Sequence, residues 1–169
     1  MVPDIDLQLR VVIKALRDVV LPAVDSGNRL ALEQLHLSIA TLGMVEARLP
    51  LAGSRLRAEL ANAIALAEAA DAAALAAPLS AAKAVLEDPR ADGRDLEIHK
   101  ARLLTAVSTL VDGAPGDGAR ADSLARAVVA ASKPQFDLIR AWCLPAGFEP
   151  DPNEVPPIER LLAKPESSI

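Results

Sequence analysis

The chain has 169 residues, enough for one domain, of which 51% are hydrophobic, 2% aromatic and 24% charged, and its net charge is −5. A composition this apolar excludes a disordered protein over most of the length. The acidic balance argues against a general nucleic-acid binder, so no nucleic-acid partner is expected. One cysteine cannot form an internal disulfide.

Alanine and leucine dominate, tyrosine is absent, and the other strand-favouring aromatic residues are scarce. This composition favours helix almost everywhere, so the sequence predicts an all-α fold. We expect no membrane span, because the most apolar stretch is interrupted by charged residues and ends at Pro78. The first residues are acidic where a secretory signal has its basic region, so we expect a cytoplasmic protein.

In chain order, apolar spacing predicts a first amphipathic helix from Asp4 or Asp6 to about Val20. A second helix is predicted from Arg29 to Leu49, with Asn28 as its N-cap and Pro50 as its stop. The second helix is apolar on two sides. One stripe contains Leu32, Leu35, Ile39, Leu42 and Leu49, and the opposite stripe contains Leu30, Leu37 and Met44. A helix of this kind needs neighbours on both sides, either within the domain or in another subunit.

Three further long helices follow. One is predicted from Arg55 to about Ala77, with a short helix from Pro78 to Leu86 after it. The next begins at Asp95 as its cap and ends at Asp112. The last begins at Asp122 or Ser123 and runs to Ser132, after which Pro134 either kinks it or starts a new helix to Leu144.

The end of the chain has a different composition. Residues 145–169 hold six prolines, and only Ile158 to Leu162 could form a turn or two of helix. We therefore divide the chain into a helical domain, 1–144, and a Pro-rich tail, 145–169. The predicted fold is all-α, an antiparallel bundle of four or five main helices with a Pro-rich extended C-terminal tail.

Two pairs of residues carry the metal-binding hypothesis. Glu33 and His36 lie at i and i+3 on the second helix, and Asp95 and His99 lie at i and i+4 on a later one. Both histidines border apolar stripes and are expected to face the bundle interior, where they could share a divalent transition metal. The second Glu-x-x-His of di-metal bundles is missing, and Asp18, Glu59 and Glu68 are only loose substitutes for the two bridging glutamates. Core-edge histidines hydrogen-bonded to a neighbour, with no cofactor, are therefore the default interpretation.

A basic strip lies on the first helix. Arg10, Lys14 and Arg17 recur at i, i+4 and i+7 and could hold a phosphate or an acidic partner peptide. The alternative is an ordinary solvated helix face, which Asp18 moderates. Too few charges are present for a nucleic-acid groove.

All three aromatic residues, Phe136, Trp142 and Phe148, lie near the C-terminus. Trp142 and Phe148 could form a flap over an apolar ligand such as an acyl chain. Cys143 lies beside them, with no histidine nearby in sequence to activate it, so it is expected to be a buried structural residue.

No catalytic motif is complete, and the mean hydropathy of +0.25 indicates surplus apolar surface. The sequence therefore favours a non-catalytic helical accessory or interaction protein that is a homo-oligomer or binds a protein partner. Its predicted contact residues are Leu30, Leu37, Met44, Phe136, Trp142 and Phe148. Two alternatives remain open at this point, a binder of an apolar acyl-type molecule and a metal-dependent enzyme that uses the carboxylate and histidine residues.

Overall fold

The structure, a computed structural model, describes residues 4–113, 118–147 and 149–163. Every regular element in these residues is helical and none is a strand, which confirms the all-α bundle. The helices are α1 (Ile5–Ala15), α2 (Leu21–Ala23), α3 (Arg29–Arg48), α4 (Ala52–Asp71), α5 (Ala76–Glu87), α6 (Gly93–Asp112), α7 (Gly118–Cys143) and α8 (Ile158–Leu162). A π-helical segment covers Leu16–Val20, and 3-10 turns cover Leu49–Leu51, Leu144–Ala146 and Pro152–Glu154.

The chain divides into two compact units. The first unit comprises Met1–Ala52 with Trp142–Pro150, and the second comprises Gly53–Ala141 with Asp151–Ile169. The first unit therefore contains α1 to α3, and the second contains α5, α6, α8 and nearly all of α4 and α7. No helix in the described part of the chain is long and apolar enough to cross a membrane.

In the first unit, α1 packs against α3. The helix that starts with α1 widens just before Pro22. There the Leu21 N–H donates a hydrogen bond to the Leu16 carbonyl, five residues earlier, as in a π-helix. Proline has no N–H and its ring would clash with the carbonyl four residues earlier, so a wider turn accommodates it. The predicted cap of α3 is confirmed, because the Asn28 side chain accepts a hydrogen bond from the Ala31 N–H at 3.1 Å.

The second unit holds a continuous apolar core. Its buried residues come from α4, α5, α6 and the turn before α5, and they are Leu60, Ala63, Ile64, Ala67, Leu75, Leu79, Ala82, Leu96, Leu103 and Val107. The alanines let helices approach closely, and the leucines supply most of the buried area. The C-terminal segment also packs, because Val155 and Ile158 are buried. The short helix α8 has the bounds that the sequence predicted.

Three helix boundaries differ from the prediction. The third long helix ends at Asp71, because its carboxylate accepts hydrogen bonds from the Ala73 and Ala74 N–H groups and forms a turn. Asp92, not Asp95, caps α6, since the Asp92 side chain accepts from the Asp95 N–H at 2.9 Å. The last long helix begins at Gly118 and continues through Pro134.

Candidate functional site

The predicted basic strip lines one open groove of about 310 Å³ in the first unit. The lining consists of Arg10, Ile13, Lys14, Arg17 and Asp18 of α1 and the π-helical segment, with Gly43 and Glu46 of α3. The structure therefore brings the three predicted cations together around a shared surface.

Carboxylates neutralise most of that charge. Arg10 forms an ion pair with Asp6, and its Nε lies 3.6 Å from a Glu46 carboxylate oxygen. The Lys14 ammonium group lies 2.5 Å from the Asp18 carboxylate. Because the same carboxylates would repel an anion, the groove has little net attraction for phosphate. This geometry favours the interpretation of a solvated, internally paired helix face.

The two histidines occupy different units. His36 is exposed on α3, and His99 is half-buried on α6. The expectation that His36 faces the interior was wrong. Ile39 is buried on the packed side of α3, whereas His36, three residues before it, is exposed to solvent. Glu33 and Asp95 are also exposed. In the described ranges, no group of three or more His, Cys, Asp or Glu residues is placed to hold a metal ion. The four predicted ligands therefore form no such group there.

Two of the three aromatic residues, Phe136 and Trp142, lie in the described part of the chain. Phe136 is 62% exposed on α7. Trp142 is half-buried, with the Arg48 guanidinium 5.6 Å from its ring centroid and the Arg48 Nε donating to its carbonyl at 3.1 Å. Trp142 therefore contacts a side chain of its own unit. Cys143 is exposed, which corrects the expectation of a buried thiol. Phe148 lies outside the described residues.

A buried ionic cluster joins α4 to α6 in the second unit. Glu59 is only 4% exposed, and its carboxylate accepts hydrogen bonds from Arg55 and Lys100, each at 2.6 Å. Lys100 also donates to Glu97 at 2.9 Å. Burial alone would raise the pKa of Glu59, but the hydrogen bonds from Lys100 and Arg55 hold it below its ordinary value. The ions of this cluster satisfy one another, so its structural role is to connect two helices.

The second described groove, of about 480 Å³, lies between α4 and α5 in the second unit. Its charged lining residues are Glu68, Lys83 and Glu87, and Lys83 pairs with Glu68 at 2.6 Å. Acyl chains bind in concave, mainly apolar cavities. Both grooves described here are open and edged by charges, so neither has the features expected of an acyl site.

The outward stripe of α3 is the predicted site that the structure presents most clearly. Leu30 is 68% exposed, Leu37 is 49% exposed, and Met44 is half-buried. They follow one another at intervals of seven residues along a helix whose other side is anchored by buried Ile39. Such a stripe can bind an apolar surface of a partner.

Comparisons of this chain with protein-family models, with curated proteins and with solved structures found no match. Most of the charged groups in both grooves are paired internally, whereas the apolar stripe of α3 is exposed to solvent at Leu30 and Leu37.

Proposed function

We propose that the protein is a non-catalytic helical interaction protein that docks a helix of a partner protein on the outward stripe of α3. The observation that carries this proposal is the exposure of Leu30 and Leu37 on a helix held in place by Ile39. Intervals of seven residues match two turns of a helix, so the stripe presents its apolar residues at the repeat of a facing helix.

Burial supplies the driving force for docking. Covering one leucine or methionine side chain fully is worth about 1.5 to 3 kcal/mol, in proportion to the area removed from water. Leu30 and Leu37 have much of that area still exposed, and half-buried Met44 can adapt its shape at the end of the stripe. Of the polar residues nearby, Ser38 and Thr41 donate their hydroxyl hydrogens to carbonyls of α3 itself, whereas the exposed carboxylate of Glu33 lies beside Leu30 and Leu37, so the docked helix should place a basic residue opposite it.

A site-specific photo-crosslinking experiment on the full chain tests this proposal. A photoreactive amino acid replaces Leu37 in the protein expressed in its own cells, and the matched control carries it at Val129 of α7, which is 73% exposed. We expect a discrete, saturable protein adduct at position 37 that the control does not form. Leu30→Glu should abolish that adduct, because a buried unpaired carboxylate disfavours binding.

Three crosslinking results would contradict the proposal. Equal crosslinking at the two positions, or none at position 37, would contradict the α3 docking site. An adduct that survives Leu30→Glu would also contradict it, since the stripe would not then be what the partner contacts.

A further inference from the structure

The outward stripe of α3 leads to a charged residue at the end of the helix. Arg48, the last residue of α3, follows Leu30 by about five full turns, so it lies on the same side of the helix as the stripe. Apolar surface continues up to it, because Val45, between Met44 and Arg48 in the chain, is 43% exposed. The stripe therefore extends along about 27 Å of helix to the Arg48 side chain.

Trp142 lies at this end of the stripe. The Arg48 Nε donates a hydrogen bond to the Trp142 carbonyl at 3.1 Å, and the Arg48 guanidinium lies 5.6 Å from the centroid of the indole ring. The 3-10 turn that follows, Leu144–Ala146, also packs against α3. All of these residues belong to the first unit. The chain thus places an aromatic side chain and a turn of backbone beside the last turn of α3.

These contacts favour a fixed wall over a lid that opens. A hydrogen bond from a charged donor holds the Trp142 backbone, and the same cation attracts the face of its ring. Trp142 is still only half-buried, so part of a large apolar ring remains uncovered. Tryptophan is among the residues that supply most of the binding free energy at protein interfaces. A helix docked along α3 as far as its last turn would cover the open part of this ring.

We propose that Trp142 is a contact residue of the α3 docking site and that, with the turn Leu144–Ala146, it forms a wall against which the last turn of the partner helix packs. This inference rests on the proposed function and adds a specificity-determining residue to it. The wall sets the register of the partner, because a helix that meets it cannot slide further along α3.

The wall also defines the chemistry of the helix that fits. Its apolar residues extend over about five turns, and its last turn presents a small or apolar side chain to the indole. A basic residue in that turn would be repelled by the Arg48 cation beside the ring.

Photo-crosslinking from position 142 of the full chain tests the contact directly. A photoreactive phenylalanine derivative replaces Trp142 in the protein expressed in its own cells, and the matched control carries it in place of Phe136, an aromatic residue of α7 that is 62% exposed. We expect position 142 to capture the same protein as position 37, identified by mass spectrometry, and position 136 to capture none. Leu30→Glu should abolish the adducts at both 37 and 142.

Variants of Trp142 in the chain that is photoreactive at position 37 give a second measurement. Trp142→Ala should lower the adduct yield, measured below saturation, by about 10-fold. Trp142→Phe keeps an aromatic ring and should retain most of the yield, and Phe136→Ala should leave it unchanged. Circular dichroism and urea denaturation check that the variants are folded under the conditions of the experiment.

Several results would overturn the wall. Position 142 could form no adduct, or it could capture a different protein from position 37. Trp142→Ala could leave the yield at position 37 unchanged, or could raise it, which would show that the segment competes with the partner. In each of these cases the adduct at position 37 still forms, so the α3 docking function stands. Absence of the adduct at position 37 would instead contradict the docking function, and the wall with it.

Discussion

The two units of the chain use similar helical sequences in opposite ways. In the second unit, Leu60, Leu103 and Leu138 are completely or almost completely buried, and Glu59, the buried charged residue, has its partners within the unit. In the first unit, the apolar residues that the structure shows as buried are Ile13 and Ile39, whereas most large apolar residues of α1 face water. The second unit therefore has a continuous buried core, whereas the first leaves much of its apolar surface exposed.

The polar contacts show the same difference. The Arg57 guanidinium donates to the Leu86 and Asp88 carbonyls at the C-terminal end of α5, at 2.9 and 3.1 Å, and Asn62 of α4 donates to Gln135 of α7 at 3.1 Å. These bonds join distant parts of the second unit. In α1 the pairs Arg10 with Asp6 and Lys14 with Asp18 are local and exposed, and such pairs add little stability. The first unit has long-range contacts as well, between Arg10 and Glu46 and between Arg48 and the Trp142 carbonyl.

The largest expected effect comes from a cavity in the second unit. Leu103→Ala removes a side chain that is 0% exposed and should lower the free energy of unfolding by about 3 kcal/mol, because the surrounding helices relax only partly into the space. Leu37→Ala, at a position 49% exposed in the first unit, should cost less than about 1 kcal/mol. Urea denaturation followed by circular dichroism measures both. Equal losses of unfolding free energy in the two variants would contradict the difference in burial between the two units.

The next effect comes from the buried ionic cluster. Glu59→Gln leaves Lys100 and Arg55 without their shared carboxylate in a largely buried place, and should cost about 2 kcal/mol at neutral pH. Glu68→Gln is the control, because its pair with Lys83 is exposed and is worth under about 1 kcal/mol.

The same cluster predicts a pH dependence. Burial opposes the charged carboxylate, but the bonds from Lys100 and Arg55 lower the folded pKa of Glu59 below the ordinary 4.5. Its contribution to stability is therefore present above pH 4.5 and is lost as pH falls through the folded pKa. The stability difference between wild type and Glu59→Gln should accordingly shrink in acid below pH 4.5. A difference that stays constant across that range would show that the carboxylate charge is not what stabilises the cluster.

The sequence correctly predicted the features that depend on residues close together along the chain. Composition indicated an all-α fold, and Asn28 and the bounds of α8 were recognised from capping and proline positions. The break after Asp71 was missed, because apolar periodicity does not show when a carboxylate captures nearby N–H groups. Glu59 was recognised only as a carboxylate, because Lys100 is 41 residues away in the sequence. The expected inward direction of His36 was wrong, because helical spacing shows which residues share a face but not which face a neighbouring helix covers.

The smallest expected effect concerns the contact between Arg48 and Trp142 in the first unit. Arg48→Met removes the cation over Trp142 and the hydrogen bond to the Trp142 carbonyl, so it should cost about 1 kcal/mol. Because the chain has one tryptophan, its emission reports this contact directly and should shift to longer wavelength as the indole becomes more hydrated. Arg94→Met, at an exposed position in the second unit, is the control and should leave the emission unchanged. Wild-type emission from Arg48→Met would contradict the prediction, because it would mean that the guanidinium does not shield the indole.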